Sequence, residues 1–194
     1  DWTDYQKDYD TFIASLDRPR FLGAMEDPWH IQRVTDSPEI AMRVAQNFNK
    51  NSQIPEFLKT DFKNRPRNKK IKVGYFSADF REHAVTHLTL EMFGLRDKSK
   101  FETYAFGFGR QNASPELRAR IEKSFDHYID INPINDIDAV KLARELNIDI
   151  AVDLSGITSE ARPQIFTNRA APIQINYLGF TSTLGTTCHD YVIG

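Results

Sequence analysis

The chain has 194 residues, of which 40% are hydrophobic and 27% are charged, and its formal net charge is -2. This composition is ordinary for a globular protein and excludes the fibrous and low-complexity classes. The slight negative charge argues against nucleic acid as the main partner, because proteins that bind nucleic acid usually carry a basic excess. No run of apolar residues reaches the length of a membrane span, so no membrane partner is expected.

The chain contains one cysteine, Cys188, which excludes an intrachain disulfide and a zinc site built from several cysteines. A reducing compartment is favoured, and we expect a cytoplasmic protein. Residues 1–5 do not resemble a signal peptide, and the chain does not begin with Met. We therefore expect it to be an excised piece of a longer protein.

Residues 1–70 are predicted to form a helical connector. Aromatic and apolar residues recur at helical spacing over residues 2–16, which indicates a short amphipathic helix. Ser37 followed by Pro38 is typical of a helix N-terminus, because serine caps helices well and proline suits the first helical turn. Residues 63–70 are polar and basic, and we expect an exposed linker there rather than a nucleic-acid site.

From residue 71 onward the sequence alternates between strands and helices. Strands are predicted over residues 71–76, 102–106, 128–131, 148–154 and 173–178 and from residue 191, and helices over residues 85–95, 114–123, 137–146 and 160–166. This alternation predicts an α/β fold with a parallel sheet and helices on both faces. Ligands bind at the carboxyl ends of the strands in such sheets. The rule selects four loops, at residues 77–87, 107–113, 155–162 and 179–187.

The first of these loops contains two of the five histidines of the chain, His83 and His87. If a helix begins near His83, the two histidines lie one turn apart on one face. One interpretation is a hydrogen-bonding or acid–base site at a helix N-terminus, where anions also bind well. The alternative is one structural and one exposed histidine. A zinc site is not expected, because no third ligand is evident.

Other candidate motifs are weaker. The sequence contains neither a G-x-G-x-x-G fingerprint after the first strand nor a G-x-x-x-x-G-K-[ST] loop. Residues 179–187 are rich in Gly, Ser and Thr, which is typical of a loop that binds sugar or phosphate through backbone N–H groups, or of a flexible surface loop. Cys188 and His189 are sequence neighbours and would point apart in an extended chain, so a catalytic Cys–His dyad is not expected.

Three blocks of sequence together resemble the O-linked N-acetylglucosaminyltransferase and SPINDLY family of glycosyltransferases. They are V-G-Y-F-S-A-D-F with the histidine loop that follows it, R-A-A-P-I-Q followed by L-G-F, and Asp190 with Tyr191. The resemblance implies that residues 71–194 are the N-terminal Rossmann-like domain of a GT-B glycosyltransferase, and that residues 1–70 follow a tetratricopeptide-repeat region. A C-terminal catalytic domain would come after residue 194, so this piece alone is expected to be inactive.

The resemblance also implies functional residues. The family motif H-P-T-S-H falls on residues 83–87, with Ala84 and Val85 replacing two of its members, and His83 is the expected catalytic residue. The residues implied in donor binding are His83, Thr86, His87, Leu178 and Gly179. Arg162 and Arg169 match family arginines and are possible site residues, with structural pairing as the alternative.

Two positions depart from the family pattern. Phe21 stands where sugar-transferring members carry a histidine proposed as the base, and Ile157 replaces a tyrosine in a glycine-tyrosine-threonine loop. These departures leave the donor and the base open.

The reaction implied by the resemblance is inverting transfer of GlcNAc from UDP-GlcNAc to Ser or Thr of proteins. The alternatives are transfer of fucose or another hexose, as in SPINDLY members, and a non-catalytic scaffold domain that kept the fold. The expected partners are protein acceptors presented by upstream repeats and the C-terminal catalytic domain. No metal and no cofactor besides the nucleotide sugar is implied.

Overall fold

A computed structural model of the protein describes residues 3–16, 28–49, 62–180 and 182–194. The chain divides into two compact units, one formed by residues 1–52 and 181–187 and the other by residues 53–180 and 188–194. The boundary at residue 70 that the sequence predicts between the connector and the catalytic domain stays a prediction.

The first unit is helical. Its helices are α1 (Tyr5–Ser15), α2 (Pro28–Ile31) and α3 (Pro38–Phe48). Its small core is made by Phe12, Leu16, Ile31 and Val44. The start of α3 is as predicted, because the Ser37 hydroxyl accepts the backbone N–H of Ile40 at 3.3 Å and Pro38 occupies the first turn. No periodic pattern predicts α2, which has only four residues.

Residues 182–187 belong to this helical unit and pack beside α3. Leu184 is buried, and its carbonyl accepts a hydrogen bond from Asn49 Nδ2 at 2.9 Å. Gly185 has a φ of 63°, and a Cβ atom there would overlap the backbone at Gln46. This part of the Gly-, Ser- and Thr-rich stretch is therefore a packed segment.

The second unit contains one sheet of six parallel strands. The strands are β1 (Ile71–Ser77), β2 (Phe101–Gly107), β3 (His127–Asp130), β4 (Ile150–Asp153), β5 (Ile173–Tyr177) and β6 (Tyr191–Ile193), in the spatial order β3-β2-β1-β4-β5-β6. The helices are α4 (Ala84–Gly94), α5 (Pro115–Ser124), α6 (Asp136–Glu145) and α7 (Gln164–Thr167), and a 3-10 helix, Phe62–Asn64, precedes β1. The predicted α/β fold with a parallel sheet is confirmed.

Two apolar cores cover the two faces of the sheet. Helices α4 and α5 contribute Leu90, Phe93, Leu117 and Ile121 to one core. Helices α6 and α7 contribute Val140, Ala143, Ile165 and Phe166 to the other. In this second core Phe76 of β1 stacks on Phe106 of β2, with ring centroids 4.3 Å apart. The predicted helices on both faces are therefore present, and each face buries its own set of apolar side chains.

Some element details differ from the sequence predictions. Helix α4 buries Val85, Thr86, Thr89, Leu90 and Phe93, whereas Leu88, Met92 and Leu95 at helical spacing are exposed. The helix carries apolar residues on more than one side, so periodicity alone does not identify its inner face. Helix α7 is shorter than predicted and begins just after Pro163. Within the described ranges, no helix is both long and apolar enough to cross a membrane.

Candidate functional site

The sheet has a topological switch point between β1 and β4. The chain proceeds outward from β1 through β2 to β3 on one side and from β4 through β5 to β6 on the other. In open parallel sheets the loops on the two sides of such a point diverge and leave a ligand crevice at the carboxyl ends of the strands. The loops after β1 and β4 are joined at their first residues, because the Ser155 hydroxyl accepts the backbone N–H of Ala78 at 3.2 Å.

A buried carboxylate follows β1 at this point. Asp79 is only 5% exposed, its Oδ1 accepts a hydrogen bond from Arg81 Nη2 at 3.0 Å, and its Oδ2 lies 3.5 Å from Nδ1 of His83. Burial raises the pKa of Asp79, helped by the negative charge of Glu160 and opposed by His83 and Arg81. A buried carboxyl group whose pKa is raised is suited to accept a proton during a reaction.

His83 lies at the N-terminus of α4. Its Nδ1 accepts the backbone N–H of Val85 at 3.3 Å, so the imidazole caps the helix. The contact of Nδ1 with Asp79 is attractive only if one proton lies between the two groups, since otherwise two lone pairs face each other. The side chain is 38% exposed, and in the described part of the chain its Nε2 has no hydrogen-bond partner. His83 therefore joins a buried acid to the solvent side of the crevice.

Thr86 and His87, the other two residues of this loop that are predicted to bind the donor, have different surroundings. The Thr86 hydroxyl is buried and donates to the backbone carbonyl of Asp79, which holds the turn between β1 and α4. His87 is 58% exposed, and its Nε2 lies 3.2 Å from Glu82 Oε2. Their participation in donor binding stays a prediction.

Leu178 and Gly179 follow β5 and lie against the end of β4. Leu178 has a φ of 67°, a conformation that non-glycine residues rarely adopt outside functional or tightly packed sites. A Cβ atom at Gly179 would overlap the backbone carbonyl of Leu154, so only glycine fits. The structure therefore brings the backbone of this pair to the same edge of the sheet as Ser155 and Asp79.

The two predicted arginines have structural partners. The Arg162 guanidinium contacts Asp136 Oδ1 at 2.6 Å and donates to the carbonyls of Ile131 and Ile134, each at 2.8 Å. Arg169 bonds both carboxylate oxygens of Asp190 and the carbonyls of Pro172 and Cys188. This is the structural pairing considered as an alternative, and a role in donor binding stays a prediction.

The expectation that Cys188 and His189 point apart is wrong. Cys188 Sγ lies 3.4 Å from His189 Nδ1, and His189 Nε2 lies 3.2 Å from Asp153 Oδ2. The two residues precede β6 in a loop, so the alternation of an extended strand does not apply to them. Burial by itself would lower the pKa of His189, but Asp153 and Cys188 outweigh burial and raise it to about 9.

Sequence reasoning therefore missed Asp79 as a candidate site residue. A polar residue directly after a buried strand, in a loop already selected by topology, was the available signal.

Of the two departures from the family pattern, Phe21 lies outside the described residues, and Ile157 is buried. Among the described residues, no group of three or more His, Cys, Asp or Glu side chains could hold a metal ion.

Comparisons with known proteins show the family to which the chain is similar. The model of the family described as glycosyl transferase family 41 matches residues 37–194. The Caenorhabditis elegans protein named "UDP-N-acetylglucosamine--peptide N-acetylglucosaminyltransferase" is 34% identical over 126 residues, which are 64% of this chain and 11% of that protein. The Arabidopsis thaliana protein named "Probable UDP-N-acetylglucosamine--peptide N-acetylglucosaminyltransferase SEC" is 33% identical over 125 residues, 64% of this chain and 13% of that protein.

A SPINDLY protein of Arabidopsis thaliana is also similar, with 28% identity over 125 residues that cover 63% of this chain and 14% of the relative. The chain thus spans between 11% and 14% of the length of these curated relatives. Among solved structures, a mutant O-GlcNAc transferase of Thermobaculum terrenum is similar, with a TM-score of 0.74 and 23% identity. The match covers 98% of this chain and 37% of the chain of that transferase. This likeness confirms the predicted fold, one half of a GT-B arrangement.

Proposed function

The chain belongs to glycosyl transferase family 41, and from this we propose that it supplies the N-terminal part of the active site of a protein O-glycosyltransferase. The observation that carries the proposal is the pairing of Asp79 with His83 at the switch point of the sheet. Family membership gives the class of reaction, and this pair can accept a proton beside the crevice expected at the switch point.

The proposed donor is UDP-GlcNAc and the proposed acceptor is a Ser or Thr hydroxyl of a protein. The printed names of the curated relatives, SPINDLY included, describe transfer of N-acetylglucosamine to peptides. In the proposal the chain acts together with a C-terminal catalytic domain and with upstream repeats that present the acceptor protein, in the cytoplasm. The 194 residues alone are proposed to be inactive.

The proposed chemistry is a single inverting displacement. The acceptor oxygen forms a bond to the anomeric carbon, while the bond from that carbon to the β-phosphate oxygen breaks and UDP leaves. The hydroxyl proton has to be accepted, and the proposal assigns this to Nε2 of His83 in the tautomer whose Nδ1–H faces Asp79. The capping contact of Nδ1 with the Val85 N–H belongs to the other tautomer and is given up in this step. The N-terminal end of α4 favours negative charge on the departing diphosphate. The left-handed Leu178 and the close-packed Gly179 would present their backbone to the donor sugar.

The experiment is a donor panel. The full-length protein that contains this chain is incubated with UDP-GlcNAc, UDP-glucose or GDP-fucose and an acceptor protein mixture, and the added sugar is detected by intact mass. We expect turnover with UDP-GlcNAc. Turnover with GDP-fucose alone would contradict UDP-GlcNAc as the proposed donor and favour the SPINDLY-type alternative. Absence of turnover with every donor, from a folded protein, would overturn the enzymatic proposal in favour of a scaffold domain.

A further inference from the structure

The loop after β4 is held at its first residues by a buried carboxylate. Asp153 ends β4 and is 2% exposed. Its Oδ1 accepts the backbone N–H of Ser155 at 2.9 Å and that of Gly156 at 2.8 Å. Two N–H groups that the strand ladder leaves unpaired are thereby satisfied, and the direction in which the chain leaves β4 depends on where this one oxygen lies.

The second oxygen of the same carboxylate contacts His189. Nε2 of His189 lies 3.2 Å from Asp153 Oδ2, and the histidine side chain is only 6% exposed. The imidazole also packs on the ring of Phe166 in α7, with centroids 5.0 Å apart. Because removing one partner of a buried charged pair leaves the other uncompensated, the carboxylate depends on this histidine for its charge and its orientation.

The contacts continue from the loop to the other side of the switch point. The Ser155 hydroxyl accepts the backbone N–H of Ala78, and Ala78 immediately precedes Asp79. The backbone of Leu154 lies against Gly179. A displacement of the loop after β4 would therefore be transmitted to the segment carrying the Asp79–His83 pair and to the end of β5.

We propose that His189 is a positioning residue for the donor crevice, which it shapes by orienting the Asp153 carboxylate that anchors Ser155 and Gly156. His189 itself touches neither Asp79 nor His83 in this scheme and acts through Asp153 alone. The assignment of a donor to the crevice rests on the proposed function, whereas the anchoring of the loop does not.

The loop is tested by amide hydrogen exchange of the intact protein. In His189→Leu, which keeps the apolar volume but removes the ionic contact with Asp153, exchange in peptides covering residues 150–160 and 74–82 is expected to rise at least about tenfold, equivalent to about 1.4 kcal/mol of local protection. In His189→Gln, whose amide can donate to Asp153, exchange in the same peptides should stay within about threefold of the wild-type value. His127→Leu is the matched control, because His127 makes a similar contact with Glu102 on the exposed side of β3.

Two results would overturn the anchoring role: unchanged exchange over residues 150–160 in His189→Leu, or an equal rise in β2, which would indicate general destabilisation. If His189→Leu does not fold, Asp153→Asn replaces it, since its amide oxygen keeps the loop acceptor but the ionic contact with His189 is lost. A rise over residues 150–160 of at least about threefold is then expected, smaller than in His189→Leu because the amide oxygen still accepts from the loop, and its absence overturns the role.

A second readout connects the loop to the donor. In the full-length enzyme we expect His189→Leu to raise KM for the nucleotide sugar about tenfold with little change in kcat, and His189→Gln to restore it. A fall of kcat at constant KM would contradict positioning of the donor. If no donor is turned over even by the wild type, the proposed function fails, while the exchange experiment still decides whether His189 anchors the loop.

Discussion

The Oδ2 atom of Asp79 and the Nδ1 atom of His83 lie 3.5 Å apart, at opposite ends of the short segment between β1 and α4. The acid is buried and the imidazole is partly exposed, so the pair connects the interior of the sheet edge to the crevice. His83 has a second role as the N-cap of α4 through the N–H of Val85. Substitutions can separate these two roles.

His83→Asn is expected to keep the fold and lose the reaction. Asparagine is among the best N-cap residues, so the stability of His83→Asn should match that of the wild type, whereas His83→Ala should lose about 1 kcal/mol. Both should lower kcat/KM of the full-length enzyme by at least about a hundredfold, because neither supplies an imidazole. Urea unfolding and donor turnover check the two parts. Retained turnover in His83→Asn would limit His83 to capping.

Asp79→Asn is expected to lower turnover without lowering stability. Burial raises the pKa of Asp79, which means that folding disfavours its ionised form at neutral pH, and a neutral amide of the same shape avoids this cost. We expect kcat to fall by about a hundredfold or more, with a free energy of unfolding at pH 7 equal to or above that of the wild type. A clear loss of stability with full activity would contradict this assignment.

Gly179→Ala is expected to destabilise the protein by about 2 kcal/mol or more. An added Cβ atom would overlap the carbonyl of Leu154, so the ends of β4 and β5 would have to separate. Gly94→Ala serves as the control, since nothing lies within 4 Å of its Cβ position at the end of α4. Thermal unfolding of both variants measures the difference. Equal stability of the two would show that the β5 end has room that the structure does not indicate.

Arg162→Gln is expected to cost about 3 kcal/mol. The guanidinium is 16% exposed, and its loss would remove the charged partner of Asp136 and a donor to each of two backbone carbonyls. Arg110→Gln is the matched control, because Arg110 is 73% exposed and its pair with Glu160 should contribute less than about 1 kcal/mol. Denaturant midpoints of both variants test the comparison. If Arg162→Gln left the free energy of unfolding unchanged, the structural role of Arg162 would be contradicted and a role in ligand binding favoured.

Stability is expected to fall as the pH rises from about 6.5 to about 9 because of His189. The pKa of His189 is raised to about 9 in the folded chain, against 6.5 for an unperturbed histidine. The folded state therefore binds the proton more tightly, so the contribution is complete below the unfolded pKa and is lost as the pH rises through the folded pKa. The groups facing His189 are Asp153 of β4 and the adjacent Cys188.

This pH dependence is measured as the difference in unfolding free energy between the wild type and His189→Gln, whose amide does not titrate. The difference should be on the order of 3 kcal/mol larger near pH 6 than above pH 9. A difference that does not vary with pH would show that folding leaves the pKa of His189 unchanged, and a difference that grows with pH would show that folding lowers it. Subtracting the variant removes the contributions of the lysines and tyrosines that both proteins share.

Much of the fold could be predicted because its signals are local. Ser37 and Ser114, each followed by proline, begin α3 and α5 as the sequence predicts, and their hydroxyls accept backbone N–H groups of the first turn. The inner face of α4 could not be predicted in the same way. Leu88 and Met92 carry apolar side chains yet are exposed, because the sheet selects the opposite face of a helix that is apolar on several sides.

By itself the sequence determined the alternation of strands and helices, the four loops at the carboxyl ends and the family, since each depends on residues that are close together along the chain. Only the tertiary structure decided which side chains meet there. Asp79 faces His83 only when the turn after β1 is folded, and His189 reaches Asp153 only when the loop before β6 has its folded path. Such contacts depend on strand order and loop path, which no local pattern specifies.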